Sequence, residues 1–216
     1  MQTLIFGKKS YLSQEVNRKI KNSYIFSIEN FIENEKIIQK FKKKKINIII
    51  NSFFASSELS NIENYEFFCK KSIKNLCLLL DVLDTFAINK IIYSSSSSIY
   101  NSQNNHQNKD ISNRKMYSAF KLACESVVVN FCKKKKISFI IARIFNMYGE
   151  NDSFSVISKI IKSYKSKKKL FLYNNGESIR DFINVSDVAN RYKNFLFSDY
   201  NGVIDVGNFY GIKIKD

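Results

Sequence analysis

Two side chains four residues apart, Tyr117 and Lys121, could carry out acid–base chemistry together. On a helix, positions i and i+4 lie on one face, so the lysine ammonium can lie beneath the tyrosine ring. A tyrosine with its ordinary pKa of about 10 is a poor base at neutral pH, and a nearby cation lowers that pKa by stabilising the phenolate. Ser96 lies 21 residues upstream, where its hydroxyl could bind the same substrate oxygen. Together these residues predict a site for proton transfer at an oxygen atom.

Strand-like and helix-like stretches alternate along the chain, which predicts an α/β fold with a doubly wound parallel sheet and helices on its faces. Ser96 follows an apolar strand pattern, and loops at the carboxyl ends of parallel strands are where open α/β sheets bind ligands. The predicted strands are 2–6, 24–28, 46–51, 90–95, 138–143, 170–173 and 203–206, and the predicted helices are 10–21, 33–44, 65–86, 116–134, 155–165 and one from 186 onward.

Four stretches resemble motifs of the extended short-chain dehydrogenases/reductases that act on nucleotide sugars, the NAD-dependent epimerase/dehydratase family. Residues 93–100 are similar to its strand-end Ser-Ser-Ser-x-x-Val-Tyr motif, with Ser96 at the catalytic position. Residues 117–121 resemble Tyr-Gly-x-Ser-Lys and residues 143–149 resemble Arg-x-x-Asn-x-Tyr-Gly. Residues 180–187 are similar to Arg-Asp-Phe-Ile-His-Val-x-Asp. The four motifs occur in the family's order, and the resemblance runs the whole length of the chain.

The resemblance implies a Rossmann-type fold, with a dinucleotide-binding domain at 1–150 and a small, truncated substrate-binding region at 151–216 that is interleaved with it. It implies that Ser96, Tyr117 and Lys121 are catalytic, with Ser96 also touching the substrate.

The substrate it implies is a nucleotide-activated sugar whose diphosphate is contacted by Asn146 and Arg180. Arginine is scarce in this lysine-rich chain, yet Arg143 and Arg180 both fall in the motifs. The planar guanidinium fork suits phosphate.

The phosphate-binding turn departs from the family's Gly-x-x-Gly-x-x-Gly, because Gly7, Ser10 and Ser13 occupy the three positions. Gly7 can still supply the tight turn, whereas Ser10 replaces the glycine that lets the backbone approach a pyrophosphate. The helix N-terminus remains, so we expect weakened binding of NAD, with NADP as the alternative. The residues expected to contact the cofactor are Gly7, Ser10, Tyr11, Leu12, Glu29 (the nearest acid after the second strand), Phe53, Tyr117 and Lys121.

The residues around the motifs narrow the reaction. The family's dehydratases have Asp-Glu after the catalytic serine, whereas Ser97 and Ser98 stand here. Its GDP-fucose synthases have a histidine where this chain has Asn151. A 4-epimerase or a 4-keto reductase remains, and the epimerase is the first hypothesis. The rival hypothesis is a non-catalytic Rossmann relative that binds a nucleotide or an RNA. It is favoured by the altered glycines of the phosphate-binding turn and by Phe53 and Phe54.

The net charge of +16 suggests an anionic partner, but the lysine runs lie at predicted helix ends, where cations are favoured, and argue little for nucleic acid. No apolar run approaches the roughly 18 residues of a membrane helix, and no secretory signal is readable. The four cysteines lack metal-binding spacing. We therefore expect a cytoplasmic protein with reduced thiols, with no metal and no membrane partner; whether it forms a homodimer stays open.

Overall fold

The computed structural model describes residues 1–51, 65–101, 109–150, 152–153 and 155–216. Six parallel strands form the main sheet in the order β2-β1-β3-β4-β5-β8, and β6, β7 and β9 form a smaller sheet. The order reverses at β1, because the chain adds β2 on one side and then crosses to β3 on the other. The predicted α/β class and the doubly wound, Rossmann-like sheet are therefore confirmed. The strands are β1 Gln2–Phe6, β2 Ser23–Phe26, β3 Ile46–Ile50, β4 Ile88–Ser96, β5 Ser138–Ile144, β6 Asn146–Tyr148, β7 Ile179–Asn184, β8 Gly202–Val206 and β9 Gly211–Lys213.

Eight α-helices connect the strands within the described residues, and several begin at a polar N-cap. Ser10, Ser27, Asn34, Ser155 and Asn184 each accept a backbone N–H of the first turn that would otherwise lack a partner. The helices are α1 Tyr11–Lys19, α2 Ile28–Ile32, α3 Glu35–Lys42, α4 Tyr65–Cys69, α5 Asn75–Leu83, α6 Lys109–Lys135, α7 Val156–Ser166 and α8 Val185–Phe195.

Alternation along the strands divides the core between the two faces of the sheet. Leu4 and Ile48 belong to a cluster with residues of α5 and α6, whereas Ile5 and Ile49 belong to a cluster with residues of α1 and α8. Successive strand side chains point to opposite faces, so a strand with helices on both sides must be apolar at every position. This explains why β3 is buried from end to end.

Some predicted elements are wrong in type or extent. The predicted strand 170–173 is absent: residues 170–172 form no strand. The two aromatic residues of this stretch, Phe171 and Tyr173, are 89% and 91% exposed. The apolar pattern there finds no neighbouring strand to pair with. The predicted helix 65–86 is interrupted by a π-helical segment, Lys70–Lys74. Ile28, placed by prediction in the second strand, instead begins α2, since Ser27 caps a helix at that point.

Residues beyond 150 contribute to the main sheet as well as to the smaller one. β8 pairs in parallel with β5, and α8 packs against α1. The division at residue 150 stays a prediction, with the later part interleaved in the sheet. None of the helices built from the described residues combines the length and the apolar character needed to span a bilayer.

Candidate active site

The candidate site lies where β4 ends beside α6. β4 ends in three serines, Ser94 to Ser96, and pairs at that end with Ala142 to Ile144 of β5. α6 places Tyr117, Lys121 and Glu125 at four-residue intervals, so all three share one helix face. Ser118 fixes the helix against the segment after β4, because its hydroxyl donates to the carbonyl of Ser98 at 3.0 Å.

Tyr117 and Ser96, which the sequence assigned to one site, lie next to each other. The two hydroxyls are hydrogen-bonded. Burial raises the pKa of Tyr117 to about 12, and the hydrogen bond with Ser96 lowers it only in part. The expectation that Lys121 brings the Tyr117 pKa below its ordinary value is therefore wrong for this arrangement. Loss of water around the phenol outweighs the favourable contacts, so Tyr117 is protonated at neutral pH.

Lys121 is buried beneath the two tyrosine rings nearest to it. Its Nζ lies 5.9 Å from the ring centroid of Tyr117 and 5.2 Å from that of Tyr93, and it donates to the carbonyl of Ser94 at 2.9 Å. Burial lowers the pKa of Lys121 to about 8, although Cys124 and Glu125 oppose the shift. The ammonium is thus held by β4 at the level of the Tyr117 ring, as the four-residue spacing predicted.

Beneath these residues lies a buried polar network that the sequence did not reveal. The Ser94 hydroxyl donates to Asn51 Oδ1, and it lies 2.6 Å from the hydroxyl of the fully buried Tyr192. Because a serine hydroxyl has one proton, Ser94 accepts from Tyr192. Asn51 in turn donates to Ser13 Oγ at 3.0 Å. Ser13, which takes the place of a glycine, is thereby used to join α1 to the ends of β3 and β4.

Glu125 is a second residue that was not singled out from the sequence. Its carboxylate binds Arg143 within the protein, which gives Arg143 a structural role. The Arg143 guanidinium donates to both carboxylate oxygens of Glu125, at 3.1 and 2.8 Å, and to the Tyr100 hydroxyl at 3.0 Å. The Tyr100 hydroxyl donates to Asp205 at 2.8 Å. The Arg143 guanidinium therefore makes its hydrogen bonds within the protein rather than to a phosphate group. Glu125 could have been found from the sequence, since it follows Lys121 by one further interval of four on α6.

The two residues expected to contact a diphosphate lie close together. Asn146, at the start of β6, donates from Nδ2 to the carbonyl of Asp181 at 3.0 Å, one residue after Arg180 on β7. The Asp181 carboxylate accepts the backbone N–H groups of Asn208 and Phe209 at 2.9 and 2.8 Å and so ties down the turn after β8. Arg180 donates to its neighbouring carbonyl at Ile179 at 2.8 Å and is partly exposed.

A cavity of about 610 Å³ lies at the end of β6, against α7. Tyr148 and Gly149 form its β6 side, and Ile157 and Ile161 form its apolar helical side. Lys162 and Lys165 add cations to the wall, and Asp152 adds one acidic side chain. Because the cations outnumber the acid, an opening with such an apolar side suits a ligand that carries both a ring and an anionic group.

The turn after β1 retains the geometry of a phosphate-binding turn. Gly7 has a φ of +129°, which side chains disfavour, and its N–H donates to the carbonyl of Phe26 at 3.0 Å. α1 then begins at Tyr11, with Ser10 as its cap and no acidic residue in its first turn. Such an N-terminus fits an anionic pyrophosphate.

The remaining expected cofactor contacts are placed less favourably. The Leu12 side chain is buried in the core, so only its backbone is available, and the Tyr11 hydroxyl donates to the carbonyl of Met147 at 3.3 Å. Glu29 accepts from Lys71 and, at 3.0 Å, from Asn75. Partial burial alone would raise the Glu29 pKa, but the bond from Lys71 lowers it, so the carboxylate is ionised and paired. Phe53 lies outside the described residues.

Residues 9–206 match the model of the NAD dependent epimerase/dehydratase family. The chain belongs to that family. Among curated relatives, it is 25% identical to a dTDP-D-glucose 4,6-dehydratase of Dictyostelium discoideum over 85% of this chain and 44% of that protein. It is 23% identical to a UDP-glucuronate 4-epimerase of Thermodesulfobacterium geofontis over 87% of this chain and 57% of that protein. The chain thus spans about half the length of these relatives.

Solved structures of family members have the same fold. The UDP-N-acetylglucosamine 4-epimerase of Methanobrevibacter ruminantium, in complex with UDP-N-acetylmuramic acid, superimposes with a TM-score of 0.79 at 22% identity over 99% of this chain and 78% of that chain. The UDP-glucuronic acid 4-epimerase of Bacillus cereus, in complex with UDP-glucuronic acid and NAD, has a TM-score of 0.80 at 18% identity over 99% and 80%. The similarity in fold to these two structures extends over 99% of the chain.

Proposed function

We propose that this chain is an NAD(P)-dependent epimerase of a nucleotide-activated sugar, with Ser96, Tyr117 and Lys121 as its catalytic residues. The observation that carries the proposal is the hydrogen bond between Ser96 and Tyr117 with the Lys121 ammonium held beside the Tyr117 ring. Two adjacent hydroxyl groups of this kind can both hydrogen-bond to one oxygen of a bound sugar and so fix its position. Membership in the family supplies the type of substrate, since its characterised members named above act on UDP- or dTDP-linked sugars.

The chemistry assigned to these residues is a proton transfer coupled to a hydride transfer. A bound oxidised nicotinamide would supply the hydride acceptor and a positive charge near the ring, which would lower the raised pKa of Tyr117 and favour its phenolate. The Tyr117 phenolate then takes the proton of a sugar hydroxyl while the adjacent C–H hydride departs, and the C–O single bond becomes a carbonyl. After the keto sugar has turned over, the hydride returns to its opposite face and Tyr117 gives the proton back to the oxygen. Ser96 donates to that oxygen throughout, and the reaction consumes no net cofactor.

Two features favour an epimerase over the other reactions of the family. Ser97 and Ser98 follow the catalytic serine, so the acid–base pair that water elimination needs in the dehydratases is lacking at these positions. Both solved relatives described above are 4-epimerases.

Asn146 and Arg180, beside the end of β5, are assigned to the substrate diphosphate. Ile144, two residues before Asn146, pairs directly with Ser96.

The test is a panel of UDP- and dTDP-linked hexoses and hexuronic acids, incubated with the purified protein and either dinucleotide. The proposal predicts formation of a 4-epimer without net change in the amount of reduced cofactor. Stoichiometric oxidation of NADH or NADPH with a keto sugar would instead identify a reductase. Binding of a dinucleotide with no turnover of any panel member would favour a non-catalytic role.

Replacing Arg180 tests the assignment of the diphosphate. Arg180→Ala should weaken binding of UDP by about tenfold or more, because a charge-assisted contact to phosphate is lost. Binding of the dinucleotide should stay unchanged, since it uses the turn after β1. Lys213→Ala is the matched control, because it removes a positive charge from the neighbouring strand β9, where Lys213 pairs with Glu177 at 3.0 Å. A parallel loss of both affinities in Arg180→Ala would make Arg180 structural.

A further inference from the structure

A cavity of about 440 Å³ lies at the carboxyl end of β2, beside the turn that follows β1. The two strands are paired at this end, with Phe6 opposite Phe26. The polar groups of the wall come from the turn, from the residue directly after β2, and from the following helix and its end: Lys8, Ser27, Asn30, Glu33 and Asn34. The cavity therefore adjoins the phosphate-binding turn on the side of β2.

Position 27 is where the choice between dinucleotides is made in Rossmann domains. An acidic residue about 20 positions after the first glycine of the turn accepts the ribose 2′-hydroxyl of NAD, whereas a nearby cation accommodates the 2′-phosphate of NADP. Ser27 lies 20 residues after Gly7. Its Oγ accepts the N–H of Asn30 at 3.3 Å, which leaves the hydroxyl proton to be donated.

The nearest acid is directed elsewhere. Glu29 is ion-paired with Lys71, in the π-helical segment before α5, and hydrogen-bonded to Asn75, the first residue of α5. Both contacts are accepted by Oε1, and Glu29 does not belong to the described lining of the cavity. A 2′-phosphate would therefore meet no carboxylate at position 27.

We propose that this cavity receives the 2′-phosphate of NADP(H) and that the chain prefers NADP(H) to NAD(H). The inference rests on the proposed function, because it requires a dinucleotide on the turn after β1. Lys8 supplies the cation, and Ser27 and Asn30 supply hydrogen-bond donors. Among the described lining residues, Glu33 is the one acidic side chain. Its carboxylate weakens the preference without occupying position 27.

Direct binding measurements test the preference without catalysis. The folded protein is titrated with NADP⁺, NAD⁺, adenosine 2′,5′-bisphosphate and adenosine 5′-monophosphate by calorimetry. We expect NADP⁺ to bind about tenfold or more tightly than NAD⁺, and the bisphosphate to exceed the monophosphate by a similar factor. Tighter binding of NAD⁺, or equal affinities, would overturn the inference and leave the proposed function standing. Absence of binding by both dinucleotides would overturn the proposed function itself and the inference with it.

Variants locate the effect in this cavity. Ser27→Asp should reverse the preference, because the carboxylate repels a 2′-phosphate and accepts a 2′-hydroxyl. Lys8→Gln should weaken the binding of NADP⁺ by about tenfold and change the affinity for NAD⁺ by less than about twofold. Lys44→Gln, at an exposed position after α3, controls for the general loss of one positive charge. Equal weakening by Lys8→Gln and Lys44→Gln, or an unchanged preference in Ser27→Asp, would show that the 2′-phosphate lies elsewhere.

Discussion

At the scale of single residues, the site is governed by the removal of water. Burial acts in opposite senses on the two central groups, since it disfavours whichever form is charged: the pKa of Tyr117 rises to about 12, and that of Lys121 falls to about 8. The phenol and the amine are therefore closer to neutral than the same groups in water. A cation brought next to Tyr117 has a large effect in such surroundings, because little solvent screens it.

The depressed pKa of Lys121 predicts how stability depends on pH. Between about pH 8 and 10.5 the unfolded chain holds a proton on Lys121 that the folded protein has released. The contribution of Lys121 to stability therefore rises with pH in this window, by up to roughly 1 kcal/mol per pH unit, and it is constant below the window. Lys121→Met removes this titration. The free energy of unfolding in urea, measured for both proteins at pH 7, 8, 9 and 10, should give a difference that grows in favour of the wild type.

The measurement at pH 7 gives the difference in unfolding free energy that does not depend on this titration. The prediction concerns only how that difference changes between pH 8 and 10. Ionisable groups away from Lys121 cancel in the difference. The pKa of Cys124, which the Lys121 charge lowers, rises in Lys121→Met and adds to the difference in the same direction. A difference that stays flat or declines from pH 8 to 10 would mean that Lys121 keeps an ordinary pKa in the folded protein.

The partners of the central residues show what spacing can and cannot reveal. The neighbourhood of Ser96, Tyr117 and Lys121 follows from motif and helical spacing alone. The direction of the Tyr117 pKa does not, because it depends on how far packing excludes water. Ser94, Asn51 and Tyr192 meet from three distant parts of the chain, and nothing in their local patterns indicates the contact.

At the scale of the elements, glycine decides how the end of β6 meets α8. Gly149 has a φ of +150°, and a Cβ there would lie 2.5 Å from Val185 Cγ1 at the start of α8. A side chain at this position would therefore push apart the strand that bears Asn146 and the helix that anchors Tyr192. The same glycine lines the cavity beside α7.

Substitution of Gly149 should destabilise the protein by more than backbone strain accounts for. Gly202 is a matched control, because its φ of +148° is nearly the same, while a Cβ there would meet nothing closer than Tyr200 at 3.4 Å. We expect Gly149→Ala to cost about 1–3 kcal/mol more than Gly202→Ala, from overpacking against Val185. Urea unfolding of the two variants measures the difference. Equal losses would place the cost in the backbone conformation alone.

The strands that were not predicted from the sequence, β6, β7 and β9, lack a regular apolar pattern. β7 carries Arg180 and Asp181 among its residues and is mostly half-buried, so it lacks the alternation of a typical strand. β6 and β9 span three residues each, too few for any period to be seen. By contrast, β1, β3, β4 and β5 were found within one to two residues, since burial on both faces gives them continuous apolar runs.

At the scale of the whole molecule, one sheet edge gathers the residues of the proposed site. Gly7, Ser27, Ser96 and Ile144 all stand at the carboxyl ends of neighbouring parallel strands, on either side of the reversal at β1. Such an edge is where open α/β sheets bind their ligands. The alternation of elements was sufficient to predict this arrangement, whereas the order of the strands required the structure.

The central claim is that Tyr117 moves a proton during hydride transfer. Its most direct test is a single-turnover measurement of the near-ultraviolet absorbance of reduced nicotinamide, after the protein with oxidised dinucleotide is mixed with the nucleotide sugar that it epimerises. We expect transient reduction in the wild type, and a rate lower by about 10² to 10⁴ in Tyr117→Phe, which keeps the ring and should keep the fold and dinucleotide binding. A Tyr117→Phe protein that is folded, binds dinucleotide equally well and reduces it at the wild-type rate would show that Tyr117 moves no proton in the reaction.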